Sequence, residues 1–434
     1  MRLSHTFGCS SGRESSPSIF RRALTCRMRC GSIASNPVRL MVRVSCHSTV
    51  RSPVGTGARK HSGFCHRRAF QRNIVKIVIA AWHLKNPHVG IGRYARELID
   101  ALGRVDRTNH YEILIPCAAH PFTARPNMHY RVIRFPLFRR RVWEQAAPLL
   151  AGPYDVLHFP YDSCVAWKRG KFVTTIHDMK PLLFPELRAR MNLNRRIEEW
   201  LVGDRWKTMD HVVTISEHSR RDLLAHVPLR PDQVTVTPLG LDAGRFRPAE
   251  RRREGRPYVF CVAGSDPTKN VGCLVEAFAM LPQALHDGFD LLLAGDVCKR
   301  TDIRAAIVRF GISGQTKLVG VVSDEELIAY YQQATVFVFP SLYEGFGLPV
   351  LEAMGCGCPV IASNTSSLPE VAGNAALLID PRQSDQVMRE LTRVLESPSL
   401  QATLRTRGLA RAKTFTWDRT ARETVAVYER TIES

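Results

Sequence analysis

The feature that most constrains this chain is a rhythm that begins at Ile74. The stretch "IVKIVIAAW" is an apolar run of strand length, the pattern of a strand covered on both faces. Comparable runs recur as "YEILIP" at 111–116, "YRVIRFP" at 130–136, "DVLHFP" at 155–160, "KFVTTIHD" at 171–178, "HVVTIS" at 211–216 and "QVTVTPLG" at 233–240. Helical stretches separate many of them, among them "RRIEEWLVGDRWKT" at 195–208. Strands alternating with helices imply right-handed crossovers and a parallel sheet. A polar, basic linker, "DAGRFRPAERRREGRP" at 242–257, interrupts the rhythm. It then resumes with "YVFCVAG", "DLLLAG", "KLVG", "TVFVFPS", "PVIAS" and "ALLID", and ends in the helical "TWDRTARETVAVYERTI". At 434 residues the chain is too long for one ordinary core. The expected architecture is α/β, with two doubly wound, Rossmann-like domains facing each other across a cleft. The first spans 74–243, the second 244–415, and a last helix at 416–434 is expected to pack back towards the first. In such sheets the ligand crevice lies beyond the carboxyl ends of the strands.

Residues 1–73 differ in texture. Up to residue 74 the sequence holds fourteen Lys or Arg and a single acid, Glu14, and so contributes +13 of the net +21. Such a basic, acid-poor segment reads as a disordered leader or as a start assigned too far upstream. A nucleic-acid arm is disfavoured because no basic–aromatic platform follows it. The seven cysteines beyond the leader form no CxxC pair, and "CGC" at 356–358 reads as small residues in a turn. Reduced thiols and a cytoplasmic setting are the simplest expectation. No apolar run approaches the roughly 18 residues that span a bilayer.

The chemistry concentrates in "SLYEGFGLPVLEAMGCGCPVIAS", Ser341 to Ser363, where Glu344 and Glu352 stand eight positions apart. Pro349 suits the first turn of a helix, where its missing N–H is harmless. The amides of Gly345, Phe346 and Gly347 would then point into the crevice and can bind hydroxyls or phosphate. Two separated acids suit a sugar nucleotide, one near the sugar and the other on the ribose diol. Lys269 in "DPTKN" lies at a strand-to-helix turn, where a cation can meet an anion as charge develops. Gly90 and Gly92, in "HVGIGRYAREL", open the first amphipathic helix, and Gly264 ends the strand before Lys269.

Together, "EGFGLPVLE", "GIGRYAREL", "TIHDM", "VVTISEHSRRDL", "VTVTPLGLD", "AGSDPTKN", "KLVGVVSDEELIAYYQQATVFVFPS" and "PVIASNTSSLPEVAGNAALLIDP" resemble the retaining glycosyltransferases of family 4, which have the two-Rossmann GT-B fold. The resemblance covers roughly 74–430 and is nearest to the bacterial mannosyltransferase-like branch that builds surface polysaccharides. It implies a catalytic Glu344 beside the donor sugar, a ribose-binding Glu352, a diphosphate neutralised by Lys269, and amides of Gly345 to Leu348 that hold the sugar or the diphosphate. It also places His177, in "TTIHD", near the anomeric centre through its backbone carbonyl, with Asp178 orienting the turn; Gly90, Gly92 and Gly264 belong to the donor-binding loops. His158 reads as structural. Relatives often carry an arginine after the loop glycine or before the lysine. Here those positions are Ser265 and Thr268, so a second diphosphate cation has to come from elsewhere, with Arg93, Lys299 and Arg300 as candidates.

No Asp-x-Asp occurs in the chain and no His/Cys cluster has metal spacing, so no metal or other cofactor is expected. Two carboxylates alone would suit a glycosidase, but a glycosidase needs no pair of nucleotide-type domains. The expected reaction is retaining transfer of a hexose, with mannose from GDP-mannose as the first reading. The acceptor is a saccharide or a polyprenyl-linked saccharide, in lipopolysaccharide-type polysaccharide synthesis. A nucleotide-sugar epimerase on the same fold is the alternative, and a nucleic-acid-binding protein using the leader is a third reading. The segment "FPLFRRRVWEQAAPLL" at 135–150 sets Arg139, Arg140 and Arg141 beside Phe135, Leu137, Phe138 and Trp143. It is either a peripheral contact with the inner membrane surface or an ordinary helix.

Overall fold

The computed structural model of the chain describes residues 74–86, 90–117, 123, 125–134, 140–184, 205–250 and 255–434. The basic leader and most of the helix expected at 195–208 lie outside these residues. The first domain runs β1 (Lys76–Ala80), α1 (Gly90–Val105), β2 (His110–Ile115), β3 (Met128–Val132), α2 (Arg140–Leu150), β4 (Val156–Phe159), β5 (Lys171–Ile176), α3 (Lys180–Leu183), β6 (His211–Thr214), α4 (Glu217–His226) and β7 (Val234–Val236). The second begins with β8 (Tyr258–Val262), α5 (Val271–Ala279), α6 (Gln283–Gly288), β9 (Asp290–Ala294), α7 (Thr301–Arg309), β10 (Thr316–Gly320) and α8 (Asp324–Gln333). It continues with β11 (Val336–Phe339), α9 (Leu348–Gly355), β12 (Val360–Ser363), α10 (Leu368–Ala372), β13 (Leu377–Ile379), α11 (Ser384–Glu396) and α12 (Pro398–Ala412); α13 (Trp417–Glu433) ends the chain.

The strands form two parallel sheets, ordered β3-β2-β1-β4-β5-β6-β7 and β10-β9-β8-β11-β12-β13. Strands β4, β9 and β11 are buried along their whole length, as unbroken apolar runs require when helices cover both faces. Strand order reverses between β1 and β4 in one sheet and between β8 and β11 in the other. In doubly wound sheets a ligand crevice lies at such switch points. Strand β7 is shorter than the apolar run at 233–240 suggests: Thr237 still donates to the Thr214 carbonyl, but Pro238 has no N–H with which to continue the ladder. Helix α8 starts on a reciprocal cap, with Ser323 Oγ accepting from the Glu326 amide at 3.2 Å and the Ser323 amide donating to Glu326 Oε2 at 2.8 Å.

Helix α13 packs on α1 and reaches β5 and β6, so the end of the chain shares a core with the first sheet. Thr420 Oγ1 donates to the Pro238 carbonyl at 2.6 Å, Arg104 pairs with Asp418 at 2.8 Å, and the Tyr428 hydroxyl meets His158 Nδ1 at 2.6 Å. His158 is fully buried, with Nε2 on Thr175 Oγ1 at 2.9 Å. Burial, and secondarily His177, brings it down to about 3. It is a neutral structural imidazole.

In the described part of the 135–150 segment the aromatic and the arginines turn inward, and Leu149 and Leu150 are exposed at its end. Trp143 is buried and its Nε1 donates to the Ile133 carbonyl at 3.0 Å. Arg140 and Arg141 both turn onto the fully buried Glu144, at 2.9 and 3.0 Å. A buried carboxylate needs such partners, so the arginines are drawn inward; Phe135 to Arg139 lie outside the described residues. All seven described cysteines are free thiols, and Gly357 of "CGC" takes φ +74° in the turn that ends α9. Among the described residues no helix is long and apolar enough to cross a membrane.

Candidate active site in the interdomain crevice

The site is built on the loop between β11 and α9. Its residues Ser341 and Tyr343 to Gly347 are buried, although it carries an acid and two glycines. Hydroxyls from the segment after β12 hold it: Ser366 Oγ accepts from the Glu344 amide at 3.0 Å, and Ser367 Oγ donates to the carbonyls of Glu344 and Phe346 at 2.9 and 2.8 Å. The Leu342 amide donates to the Thr268 carbonyl at 2.8 Å, tying this loop to the one after β8. Loops from the two strands that flank the switch point are thereby locked together. The Phe346 side chain packs edge-on to Phe415, so only its backbone is available to a ligand.

Two glycines of this loop are required by geometry. A Cβ on Gly345 would lie 2.6 Å from the His177 carbonyl oxygen, so only glycine lets the second domain approach the β5 turn so closely. Gly347 takes φ +110° at the start of α9, with Pro349 in the first helical turn. The amides of Gly345, Phe346, Gly347 and Leu348 donate to no acceptor among the described residues. Four unused donors at a helix start form a ready anion or hydroxyl site.

The charged residues interlock around it. Lys269 Nζ lies 2.6 Å from Glu344 Oε1 and 5.4 Å from the centre of the Phe339 ring. Glu352, buried in α9, takes Arg93 Nη1 from α1 at 2.5 Å and the Tyr331 hydroxyl at 3.2 Å. Burial opposes the charge on Arg93, but Glu352 prevails and holds the guanidinium above its ordinary range. Lys180, at the start of α3, crosses to Asp266 at 3.0 Å. Its backbone amide is fixed by Asp178 Oδ1 at 3.0 Å, which is how Asp178 shapes the turn.

His177 stands edge-on to Tyr94, with ring centres 4.6 Å apart, and its Nε2 lies 3.3 Å from the Pro160 carbonyl. Burial lowers its affinity for a proton, against the opposing pull of that carbonyl. Its own carbonyl accepts from Ser219 Oγ at 3.0 Å and faces Gly345. Further ties join the domains here: Glu370 accepts the Glu217 and His218 amides at 3.1 and 3.2 Å, and Tyr343 donates to Asp222 at 2.7 Å.

The expected residues do not all converge alike. His177, Lys269, Glu344 and the Gly345–Leu348 backbone come together, and Glu352 sits in the helix that follows. Gly264 is exposed and an added Cβ there would enter open space, and Gly90 is exposed with φ +49°. Gly92 is accounted for by packing, since a Cβ there would strike the Asn86 carbonyl. Of the candidates for a second cation, Arg93 is engaged by Glu352, Lys299 pairs with Asp296 at 2.7 Å, and Arg300 pairs with Asp302. Sequence reasoning passes over Lys180, Asp266, Ser219, Ser366 and Ser367. Lys180 follows His177 by three residues in the same strand-end turn, and that proximity is the one signal the sequence offers. A crevice in which cations alternate with carboxylates beside four unused amides suits a ligand with both anionic and polyhydroxyl parts.

Two family models match this chain: "Glycosyltransferase Family 4" over residues 89–245 and "Glycosyl transferases group 1" over 242–411. The O-antigen chain mannosyltransferase B of Escherichia coli is 28% identical over 386 residues, covering 82% of this chain and all of that protein. The MMP alpha-(1->4)-mannosyltransferase of Mycolicibacterium hassiacum is 36% identical over 231 residues, 52% of this chain and 55% of that one. Among solved structures, sucrose-phosphate synthase from Thermosynechococcus elongatus superposes with a TM-score of 0.65 at 23% identity, covering 82% of this chain and 98% of that one. With its two parallel Rossmann-like sheets and with both halves matched by these models, the chain belongs to the group 1 (family 4) glycosyltransferases of GT-B fold.

Proposed function

We propose that the protein is a retaining hexosyltransferase that moves mannose from GDP-mannose to a saccharide or lipid-linked saccharide in surface polysaccharide synthesis. The observation that carries the transfer chemistry is the Lys269–Glu344 pair beside the four unused amides of Gly345 to Leu348, at the switch point of the second sheet. Mannose is supported by the names of the two relatives above, and both are mannosyltransferases. The family models and these relatives favour transfer over the epimerase reading.

In this reading the amides and Lys269 hold the donor's diphosphate, with no divalent ion, and Glu352 takes the ribose hydroxyls. Glu344 binds the sugar. As the bond from the anomeric carbon to the diphosphate oxygen breaks, its electron pair leaves with the phosphate and positive charge grows on the sugar ring. The His177 carbonyl, held against Gly345, faces that charge. The acceptor oxygen bonds to the anomeric carbon and its proton passes to the departing diphosphate. Glu344 and Glu352 are both engaged by cations, which suits binding and charge stabilisation rather than proton abstraction.

Product analysis tests this: the full chain, a panel of nucleotide sugars and an acceptor extract, with and without chelator. Mannosyl transfer from GDP-mannose with retained anomeric configuration, unaffected by chelator, is the expected result. Epimerised donor without acceptor, inverted product, or turnover that a chelator abolishes and magnesium or manganese restores would overturn the corresponding part.

A further inference from the structure

Lys180 is a crevice cation that the reading above leaves without a task. Its Nζ lies 3.0 Å from Asp266 Oδ2, across the boundary between the domains. Asp266 is itself fixed, because its Oδ1 accepts from the Thr268 amide at 2.9 Å and so caps the turn that carries Lys269. Lys269 in turn grips Glu344. Two lysines and two carboxylates therefore alternate around the mouth of the site, one lysine from each domain. Burial works against the charge on Lys180, but Glu344 first and Asp266 next outweigh it and hold the amine above its ordinary range. The loop that carries Lys269 offers only Ser265 and Thr268 at its other candidate positions. Arg93 is held by Glu352, and Lys299 and Arg300 by acids two or three residues away, whereas the partner of Lys180 is the acid that caps the Lys269 turn itself.

We infer that Lys180 is the second cation for the donor's diphosphate, delivered from the first domain on the sugar side of the site, and that Asp266 holds it until the anion arrives. The inference rests on the reading of this crevice as a nucleotide-sugar site. Its chemical content is an exchange of partners: the Lys180 ammonium leaves one carboxylate and meets phosphate oxygens, while Asp266 keeps its backbone bond to Thr268. A consequence is that donor binding draws the first domain onto the second, because the ligand is seated on one domain and neutralised from both.

The two partners separate the inference from a merely structural bridge. If Lys180–Asp266 only joins the domains, Lys180→Ala and Asp266→Asn remove the same bridge and shift ligand affinity in the same direction. If Asp266 competes with the ligand for Lys180, the two shift it in opposite directions. Asn keeps the oxygen that caps Thr268, so Asp266→Asn leaves the Lys269 turn in place.

Calorimetric titration of the full chain with GDP and GMP, and with UDP and UMP, reads this directly. For whichever nucleotide binds, Lys180→Ala should weaken the diphosphate about tenfold and narrow its advantage over the monophosphate. Lys180→Arg should restore most of the loss, and Asp266→Asn should tighten diphosphate binding several-fold. Unchanged diphosphate affinity in Lys180→Ala, or equal shifts of one sign in Lys180→Ala and Asp266→Asn, would overturn the inference and leave the site reading standing. Wild-type protein that binds none of these diphosphates would overturn both.

Discussion

The two domains contribute to the crevice in different ways. In the second, the loops after β8, β11 and β12 bond to one another: Leu342 to Thr268, Glu344 to Ser366, and Ser367 to the carbonyls of Glu344 and Phe346. Lys269 and Glu344 sit on this framework and pair within it. In the first domain, Arg93 comes from α1, and His177 and Lys180 from the turn after β5. Arg93 and Lys180 find their carboxylates, and the His177 carbonyl its close neighbour, across the crevice. The second domain thus holds an internally bonded framework, and on the proposed reading the first supplies charges whose partners a ligand would replace. Preorganised groups act mostly on the transition state and exchangeable ones mostly on binding.

The strongest test of that contrast is Lys269→Ala. On the proposed reading its charge meets the diphosphate in the ground state and more so as it leaves, so both binding and turnover would suffer. The substitution takes one charged bond from the ground state and one electrostatic stabiliser from the transition state, so kcat/KM for donor should fall about a thousandfold. Steady-state kinetics with varied donor measure it, and a loss below about tenfold would mean that Lys269 is not at the phosphate.

Glu344→Gln should act on turnover alone. The glutamine keeps the size of the side chain and removes the charge that the proposed reading sets nearest the sugar, so kcat should fall about a hundredfold. Removing that charge also leaves Lys269 and Lys180 less compensated, so bare nucleoside diphosphate should bind no more weakly. If diphosphate affinity collapses in Glu344→Gln, the two glutamates have exchanged roles and the contrast between the domains fails.

How far such assignments can be read in advance depends on the range of the interaction. Strands covered on both faces announce themselves as short apolar runs, and Pro349 and the glycines of "EGFGLP" mark a loop and helix start locally. Both sheets and the β11–α9 loop are therefore legible. Arg93 and Glu352 are 259 positions apart, and Lys180 and Asp266 are 86 apart, so nothing local pairs them. Trp143 shows the same limit. Beside three arginines the sequence leaves a membrane contact and an ordinary helix both open, and only the buried Glu144, which turns Arg140 and Arg141 inward, sets the indole in the core. A buried acid is invisible until the fold exists.

Acid should also separate the domains. His83, His158 and His211 all belong to the first domain, and burial brings them down to about 4, 3 and 4 respectively. Each binds its proton more readily unfolded, near pH 6.5, than folded. The stability they support is therefore complete above about pH 6.5 and drains away as pH falls towards the folded values. For the fully buried His158 the loss between pH 7 and 5 is on the order of 2 kcal/mol. All six tryptophans fall outside residues 244–415, so their emission follows the first domain and α13. Denaturant unfolding read by tryptophan should weaken from pH 7 to 5, and His158→Gln should flatten that dependence. An unchanged pH slope in His158→Gln would remove His158 from the account.

The smallest effect, and the one that bears most directly on exchangeable charges, is expected of Glu352→Gln. If Glu352 takes the ribose hydroxyls as proposed, the lost charge acts both before and during reaction, so the change should appear in the donor's Michaelis constant with kcat nearly unaltered. A charged hydrogen bond to a diol is worth about 1.5–3 kcal/mol, which alone would weaken binding by one to two orders of magnitude. In the free protein, however, Glu352 already holds Arg93 at 2.5 Å, and the ribose has to share or displace that partner. The ligand therefore gains less than the full bond, and the loss should lie at the lower end, about tenfold. Arg93→Gln supplies the converse, since it frees Glu352 for the ribose and should tighten donor binding rather than weaken it. Measured together, opposite shifts in the two variants would establish a cross-domain pair that yields to substrate. Equal losses in both would show instead that Arg93 and Glu352 hold the ribose jointly, and that the first domain's charges are as preorganised as the second's.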